Sequence, residues 1–364
     1  MKLFQCQVCA QPLFFENTLC EKCGHRLGYE ADERRLLALD PAPESQGDLW
    51  MEAGTNGRRW RLCANAAHDV CNWLVADGGS DTFCTSCQHN RTIPNLTEAA
   101  NQQRWRRLES AKHRLIYTLL ALNLPLTTRP DDLEGLLFDL LEEDGPNAPP
   151  VMTGHDDGLI TISLAEADDQ EREKRRTSMG EAYRTLLGHV RHEVGHWYWD
   201  KLVRDGGRLE AFRVVFGDER EDYGSALQRH YANGASPDWQ MHFVSPYASS
   251  HPWEDFAETF AHYLHIVDTL ETAHAFGLAV RPRIRDAGEL TAEMNFDPHR
   301  SQDVSQLIEA WLPLSFAVNS LNRSMGQPDL YPFVLSPAAI EKIGFIHTMV
   351  HAQDYFHAQN RQHA

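Results

Sequence analysis

From Met179 to Val203 apolar side chains return every three or four residues, at Leu186, Leu187, Val190, Val194 and Trp197. That spacing predicts one long helix with a buried stripe. Trp197, Tyr198 and Trp199 cannot all face one way on it, so they read mainly as core. A second helical stretch runs from Asn101 to Leu122, with Trp105, Leu108, Leu115 and Leu119 on one side. Asp131–Leu141 reads as a further helix, closed by Gly145-Pro146 and Pro149-Pro150, and more helices are expected near 218–232, 253–275, 303–310 and 336–350. Only Leu159–Leu164 alternates apolar and polar positions as a strand does. The charged run Asp168–Arg176 suits a solvated loop or a helix start. The first hundred residues hold short pieces instead, among them Leu13-Phe14-Phe15-Glu16-Asn17, which suits a strand and a turn. The pattern predicts an α+β chain, with a small β-rich N-terminal part ahead of a mainly helical body.

Cysteine placement sharpens the N-terminal part. All eight cysteines lie between Cys6 and Cys87. Cys6-x-x-Cys9 and Cys20-x-x-Cys23 form one quartet. Each Cys-x-x-Cys can fold as a tight turn whose amides face the thiolates, and two such turns complete a tetrahedral four-cysteine zinc site. A zinc ribbon is therefore expected over residues 1–40. Cys63, Cys71, Cys84 and Cys87 form a second, looser quartet in a ribbon-like module over 49–96, with His68 a candidate substitute ligand between the first two. No apolar segment precedes the first cysteine pair, so no export signal is read, and a cytoplasmic chain keeps its thiols reduced and metal-ready. No apolar run approaches the length of about 18 residues that a membrane span needs.

The helix around 179–203 carries His192-Glu193-Val194-Gly195-His196. Two histidines four apart project from one helical face and can share a metal ion, while Glu193 can reach a water beside it. Lewis acid, water and general base together make a hydrolytic set. Gly195 is costly inside a helix, by about 1 kcal/mol against Ala, and a small residue there would let another backbone pass close to the metal.

A third protein ligand must come from elsewhere. Trp199 and Leu202 stand where a third histidine in the same segment would require Gly and His, which excludes that class. The segment His251-Pro252-Trp253-Glu254-Asp255-Phe256-Ala257-Glu258 opens a helix, with Pro252 at its start and acids in its first turn. Glu254 sits in a Trp-Glu-x-Phe-Ala context that resembles the ligand helix of gluzincin peptidases. It is the expected ligand, and Glu258, one turn on, is expected to orient a ligand imidazole. Tyr247 and His251, just upstream, are candidate donors to a developing oxyanion.

Charge narrows the partners. Basic and acidic residues balance over 1–114, so the net charge of −18 belongs to the remainder. Arg58-Arg59-Trp60-Arg61 and Arg104-Trp105-Arg106-Arg107 are the local basic clusters. In a balanced N-terminal part on an acidic body they suit a solvated or protein-facing surface better than nucleic acid.

The constellation resembles the bacterial zinc-binding metallopeptidases that carry an N-terminal zinc-ribbon domain, a likeness spanning nearly the whole chain. It rests on Phe14–Cys20 with Cys23-Gly24 and Leu27-Gly28-Tyr29, on Arg91-Thr92-Ile93-Pro94, and on Tyr183–His189 leading into His192–His196. Phe216–Arg220, Tyr247-Ala248-Ser249 and Trp253–Thr259 complete it. The resemblance implies a zincin-type catalytic domain over 98–364, in which the strand at 159–164 would border the cleft. The two cysteine quartets and the histidine motif together give the expectation of Zn2+ in three places, one catalytic and two structural, and the chemistry of the site gives that of a peptide or protein substrate. On this expectation a water acidified by the metal gives its proton to Glu193, attacks the amide carbonyl, and the proton passes on to the leaving nitrogen. The rival expectation is a non-catalytic adaptor that binds a protein partner through its ribbons and carries an inactive zincin domain. Presence of Glu193 argues against the rival, because an inactive site commonly lacks its base.

Overall fold

The computed structural model describes residues 2–43, 48–129, 132–143, 151–179 and 185–362. Two compact units result, one of Met1–Leu120 and Leu126–Arg172, the other of Ala121–Pro125 and Glu173–Ala364.

In the first unit the hairpin β1 (Phe4–Gln5) and β2 (Pro12–Leu13) carries the first cysteine pair. Strands β3 (Arg26–Glu30), β4 (Arg35–Pro41), β5 (Trp50–Glu52), β6 (Arg59–Leu62) and β7 (Leu74–Ala76) then form one antiparallel sheet in sequence order. The two cysteine modules expected separately thus share a sheet. Cross-strand pairs such as Leu27 with Ala38 and Trp60 with Ala76 fix its register. Phe15, Tyr29 and Trp73 pack beneath it, with Tyr29 4.7 Å from the ring of each of the others. Helix α1 (Ala99–Ala121) adds Tyr117 to this cluster and buries an ion pair between Glu109 and Lys112 at 2.8 Å.

One expectation fails in this unit. The helix expected over Asp131–Leu141 is instead strand β9 (Leu137–Leu141), with residues 130–131 outside the described ones. Between β8 (Asn90–Thr92) and β11 (Leu159–Ser163), both parallel to it, β9 buries Phe138, Asp139 and Leu140 in succession. A strand covered on both faces reads as a continuous apolar run, which periodicity cannot separate from a short buried helix. Its sheet ends at β10 (Gly154–Asp156). The strand expected over 159–164 is present as β11, in this first unit. The glycine-proline breaks at 145–150 lie outside the described residues.

Helix α2 (Asp169–Met179) ends where the motif helix was expected to begin. The motif helix α3 runs from Leu186 to Tyr198, and residues 180–184 lie outside the described ones. Thr185 caps α3, its hydroxyl accepting from Gly188 N–H at 3.0 Å. A π-helical turn, Trp199–Arg204, extends the helix. Trp197, Tyr198 and Trp199 are all buried. Next come α4 (Leu209–Phe216), which the apolar pattern did not suggest, and α5 (Tyr223–Asn233). The central α6 (Pro252–Ala275) packs against α3, α7 (Val304–Ser324) and α8 (Pro337–Gln362). Strands β12 (Ala279–Val280) and β13 (Ala292–Glu293) pair between α6 and α7. Helix α7 passes through Pro313 well beyond the expected stop near 310. Among the described residues, no helix is long and apolar enough to cross a membrane.

Candidate metal centre

Helices α3 and α6 approach so closely at one point that only glycine fits. A Cβ built on Gly195 would lie 2.9 Å from Ala257 Cα and 3.1 Å from its carbonyl oxygen. The neighbour is backbone and cannot swing aside. This contact brings the histidine face of α3 onto the first turn of α6. Gly195→Ala should therefore unseat the site although alanine is the better helix former: we expect a loss of about 1–3 kcal/mol from overpacking, together with weakened metal binding. Thermal unfolding and zinc content of the variant check both.

At the junction three candidate ligand atoms converge. His192 Nε2 and His196 Nε2 are 3.2 Å apart, and Glu254 Oε2 lies 3.0 Å from the first and 3.4 Å from the second. Zinc bonds of about 2.0–2.1 Å in a tetrahedron separate ligand atoms by about 3.3 Å, so the triangle has the dimensions of one face of a zinc site. All three side chains are buried, and Glu254 Oε2 makes no hydrogen bond of its own. A buried carboxylate oxygen so placed fits a cation.

Other groups hold the ligands in place. Glu258 Oε1 accepts from His192 Nδ1 at 2.8 Å, which turns Nε2 towards the centre. Glu258 Oε2 in turn accepts from Ser245 Oγ at 2.6 Å, and that hydroxyl accepts from Ala248 N–H at 3.0 Å. Glu254 Oε1 accepts from the Tyr223 hydroxyl at 2.5 Å. The ring of Trp253 lies 3.8 Å from that of His196. Glu254 therefore stands in the cluster, with Glu258 behind His192.

Electrostatics follow the same geometry. Burial alone would push Glu254 up, but the His196 and His192 rings hold it well below the ordinary carboxylate value. Glu258 is likewise drawn down to about 2 against its burial by its bond to His192. His192 itself is raised well above a free imidazole, against burial, by the two carboxylates. The site favours a positive charge at its centre. Glu193 is buried and raised above its ordinary value chiefly by that burial, with the His192 and His196 rings opposing the rise. A carboxylate poised this way accepts a proton more readily than an exposed one.

The two expected oxyanion donors part company. Tyr247 is half-buried with its ring 5.9 Å from that of His192, and burial raises its hydroxyl far above the ordinary value, so it remains protonated. His251 instead caps α6. Its Nδ1 accepts from Trp253 N–H at 3.1 Å, and its Nε2 donates to the Glu221 carbonyl at 3.1 Å. Both ring nitrogens are engaged, which leaves no proton for an oxyanion, and the expectation for His251 is corrected on that ground. Tyr223 and Ser245 were missed. Neither stands at a telling spacing from the motif, and only the fold brings them to it.

The cysteines form two clusters. Cys6, Cys9, Cys20 and Cys23 converge, as do Cys63, Cys71, Cys84 and Cys87. Sulfur separations of 3.6 Å for Cys6–Cys23, 3.5 Å for Cys9–Cys20 and 3.7 Å for Cys71–Cys84 are far beyond a disulfide bond of about 2.05 Å. They suit four thiolates on zinc, where bonds of about 2.3 Å place sulfurs about 3.8 Å apart. His68 is exposed and outside the second cluster; its ring packs 5.7 Å from that of Trp105. His113 Nε2 instead approaches Cys87 Sγ at 3.7 Å. The arginines of the basic clusters are largely committed: Arg104 pairs with Asp168, Arg106 with Asp69 and Arg107 with Asp169, while Arg58 lies over the Trp60 ring.

Comparison with known proteins agrees with this layout. Residues 101–349 match the family model described as "Putative zinc-binding metallo-peptidase", and residues 3–98 match that of a zinc-ribbon domain. Uncharacterized proteins of Mycobacterium bovis and of two strains of Mycobacterium tuberculosis are each 42% identical over 366 residues, covering 100% of this chain and 99% of theirs. No solved structure matches the chain. With its family match over most of the chain and relatives similar from end to end, the protein belongs to this zinc-binding metallo-peptidase family and carries the zinc-ribbon domain at its N-terminal side.

Proposed function

We propose that the protein is a zinc-dependent peptidase that hydrolyses peptide bonds of peptides or proteins. The observation that carries this reading is the convergence of His192 Nε2, His196 Nε2 and Glu254 Oε2 at zinc-site spacing, with buried Glu193 interacting electrostatically with the same three groups. Zinc held by the three side chains supplies a Lewis acid that acidifies a water to a pKa near ~7 and polarises the scissile carbonyl. Glu193 takes the water's proton as the oxygen attacks, then delivers it to the amide nitrogen as the carbon–nitrogen bond breaks. Glu258 keeps His192 in the tautomer whose Nε2 faces the centre. Tyr247 donates its hydroxyl proton in a hydrogen bond to the carbonyl oxygen as that oxygen gains charge.

Both four-cysteine clusters are read as structural zinc sites, so metal analysis of the purified chain is expected to give three zinc ions, two resistant to mild chelation and one exchangeable. Incubation of the zinc-loaded protein with a peptide library, followed by mass spectrometry, tests the activity. New termini at hydrolysed peptide bonds are the expected result. Intact peptides at full zinc occupancy would favour instead an adaptor that binds partners through its ribbons.

A further inference from the structure

Between buried Phe216 and buried Val244, residues 218–243 bury a single side chain, Ala226. A segment with so little apolar burial is held weakly by packing, and such segments sit at the low-stability end of a fold. Polar ties stand beside a few ring contacts. Arg213 pairs with Glu219 at 2.5 Å, His251 Nε2 donates to the Glu221 carbonyl at 3.1 Å, and Lys342 Nζ donates to the His242 carbonyl at 2.6 Å. A further polar tie is the Tyr223 hydroxyl on Glu254 Oε1. Gly217, just before the segment, has φ 102°, and Gly234, at the end of α5, has φ 73°, conformations open to glycine at no steric cost.

The segment also spans the metal centre. At its start the Tyr223 ring meets His251 at 5.3 Å and Trp253 at 5.6 Å, and Trp253 packs over His196. Two turns later the His230 ring lies 6.1 Å from Tyr247, whose own ring faces His192. From these observations we propose that residues 218–243 are a movable arm over the centre, latched by the Tyr223 hydroxyl on Glu254, so that metal occupancy and arm closure are coupled. The proposal rests on the assignment of His192, His196 and Glu254 as zinc ligands.

The coupling has a simple origin. Glu254 offers one oxygen to the ligand cluster and the other to Tyr223. A cation at Oε2 fixes the carboxylate and so presents Oε1 in one orientation to the latch. Conversely, the latched hydroxyl holds Oε2 towards the cluster. Such effects are reciprocal: the factor by which metal favours closure is the factor by which closure tightens metal. Tyr223 is thus a positioning residue, and opening of the arm is the step that admits an extended peptide.

Hydrogen exchange of the full chain, read by mass spectrometry over α5, tests this without reference to activity. The wild type is compared with zinc at all sites and after mild chelation has removed only the exchangeable ion, beside Tyr223→Phe, which keeps the ring and removes the hydroxyl. In the wild type, zinc should slow exchange across α5 about tenfold or more. Tyr223→Phe should lose that protection and release zinc to a chelator about 10–100-fold faster, the usual effect of losing a group that orients a ligand. Equal exchange in wild type with and without the ion overturns the arm, and this comparison stands even if the variant folds poorly. Wild-type zinc retention and protection in Tyr223→Phe overturn the latch. A wild type that holds no exchangeable zinc at all contradicts the ligand assignment itself, a failure separable from the other two.

Discussion

Glu193→Gln is expected to keep its zinc and to lose peptide hydrolysis by about 10²–10⁴-fold, the usual contribution of a positioned general base. Glutamine has nearly the volume of glutamate, so the packing of α3 against α6 survives. The proposed ligands His192, His196 and Glu254 are untouched. What disappears is the proposed proton acceptor, a carboxylate that burial has made more basic than an exposed one. Zinc content beside initial cleavage rates separates the two effects. Cleavage at the wild-type rate would remove Glu193 from the reaction.

Glu254→Ala should empty the site, whereas Glu258→Ala should leave zinc bound more weakly, by about 10–100-fold. The difference lies in what each carboxylate faces. Glu254 Oε2 is 3.0 Å and 3.4 Å from the two Nε2 atoms, and its loss leaves two ligands where a hydrolytic zinc site needs three. Among the described residues Glu258 hydrogen-bonds the far nitrogen of His192 and the Ser245 hydroxyl, so its loss frees the imidazole to turn without removing a proposed ligand. Zinc affinity by competition with a chelator distinguishes them. The opposite pattern would make Glu258 the ligand.

The legible parts of this chain were those written in local spacing. Two histidines one helical turn apart, a glycine between them and a proline-led acidic turn point to α3 and α6 and to the face each presents. Gly195 shows why: its missing side chain is a local feature whose cause, the backbone of Ala257, is 62 positions away in sequence and would lie 2.9 Å from an added Cβ. Tyr223 and Ser245 left no such trace, because a hydroxyl that bonds a distant carboxylate has no periodic signature. The strand at Leu137–Leu141 was mistaken for a helix because burial on both faces erased the alternation that marks a strand. Helix α4 was overlooked because only Phe212 and Phe216 of its length are buried, one turn apart, too short a stripe to register. The cysteine pairs were plain in sequence, but the five-stranded sheet that joins their two modules was not, since strands of three to seven residues carry little periodicity.

The most direct test of the central claim is cleavage of one identified peptide as the exchangeable zinc is removed and returned in steps, with metal content measured at each step. The account predicts that the rate rises in proportion to that single ion up to one per chain, while the zinc of the two cysteine clusters stays constant. A rate that persists when the His192–His196–Glu254 site is empty, or no cleavage when it is full, would contradict it.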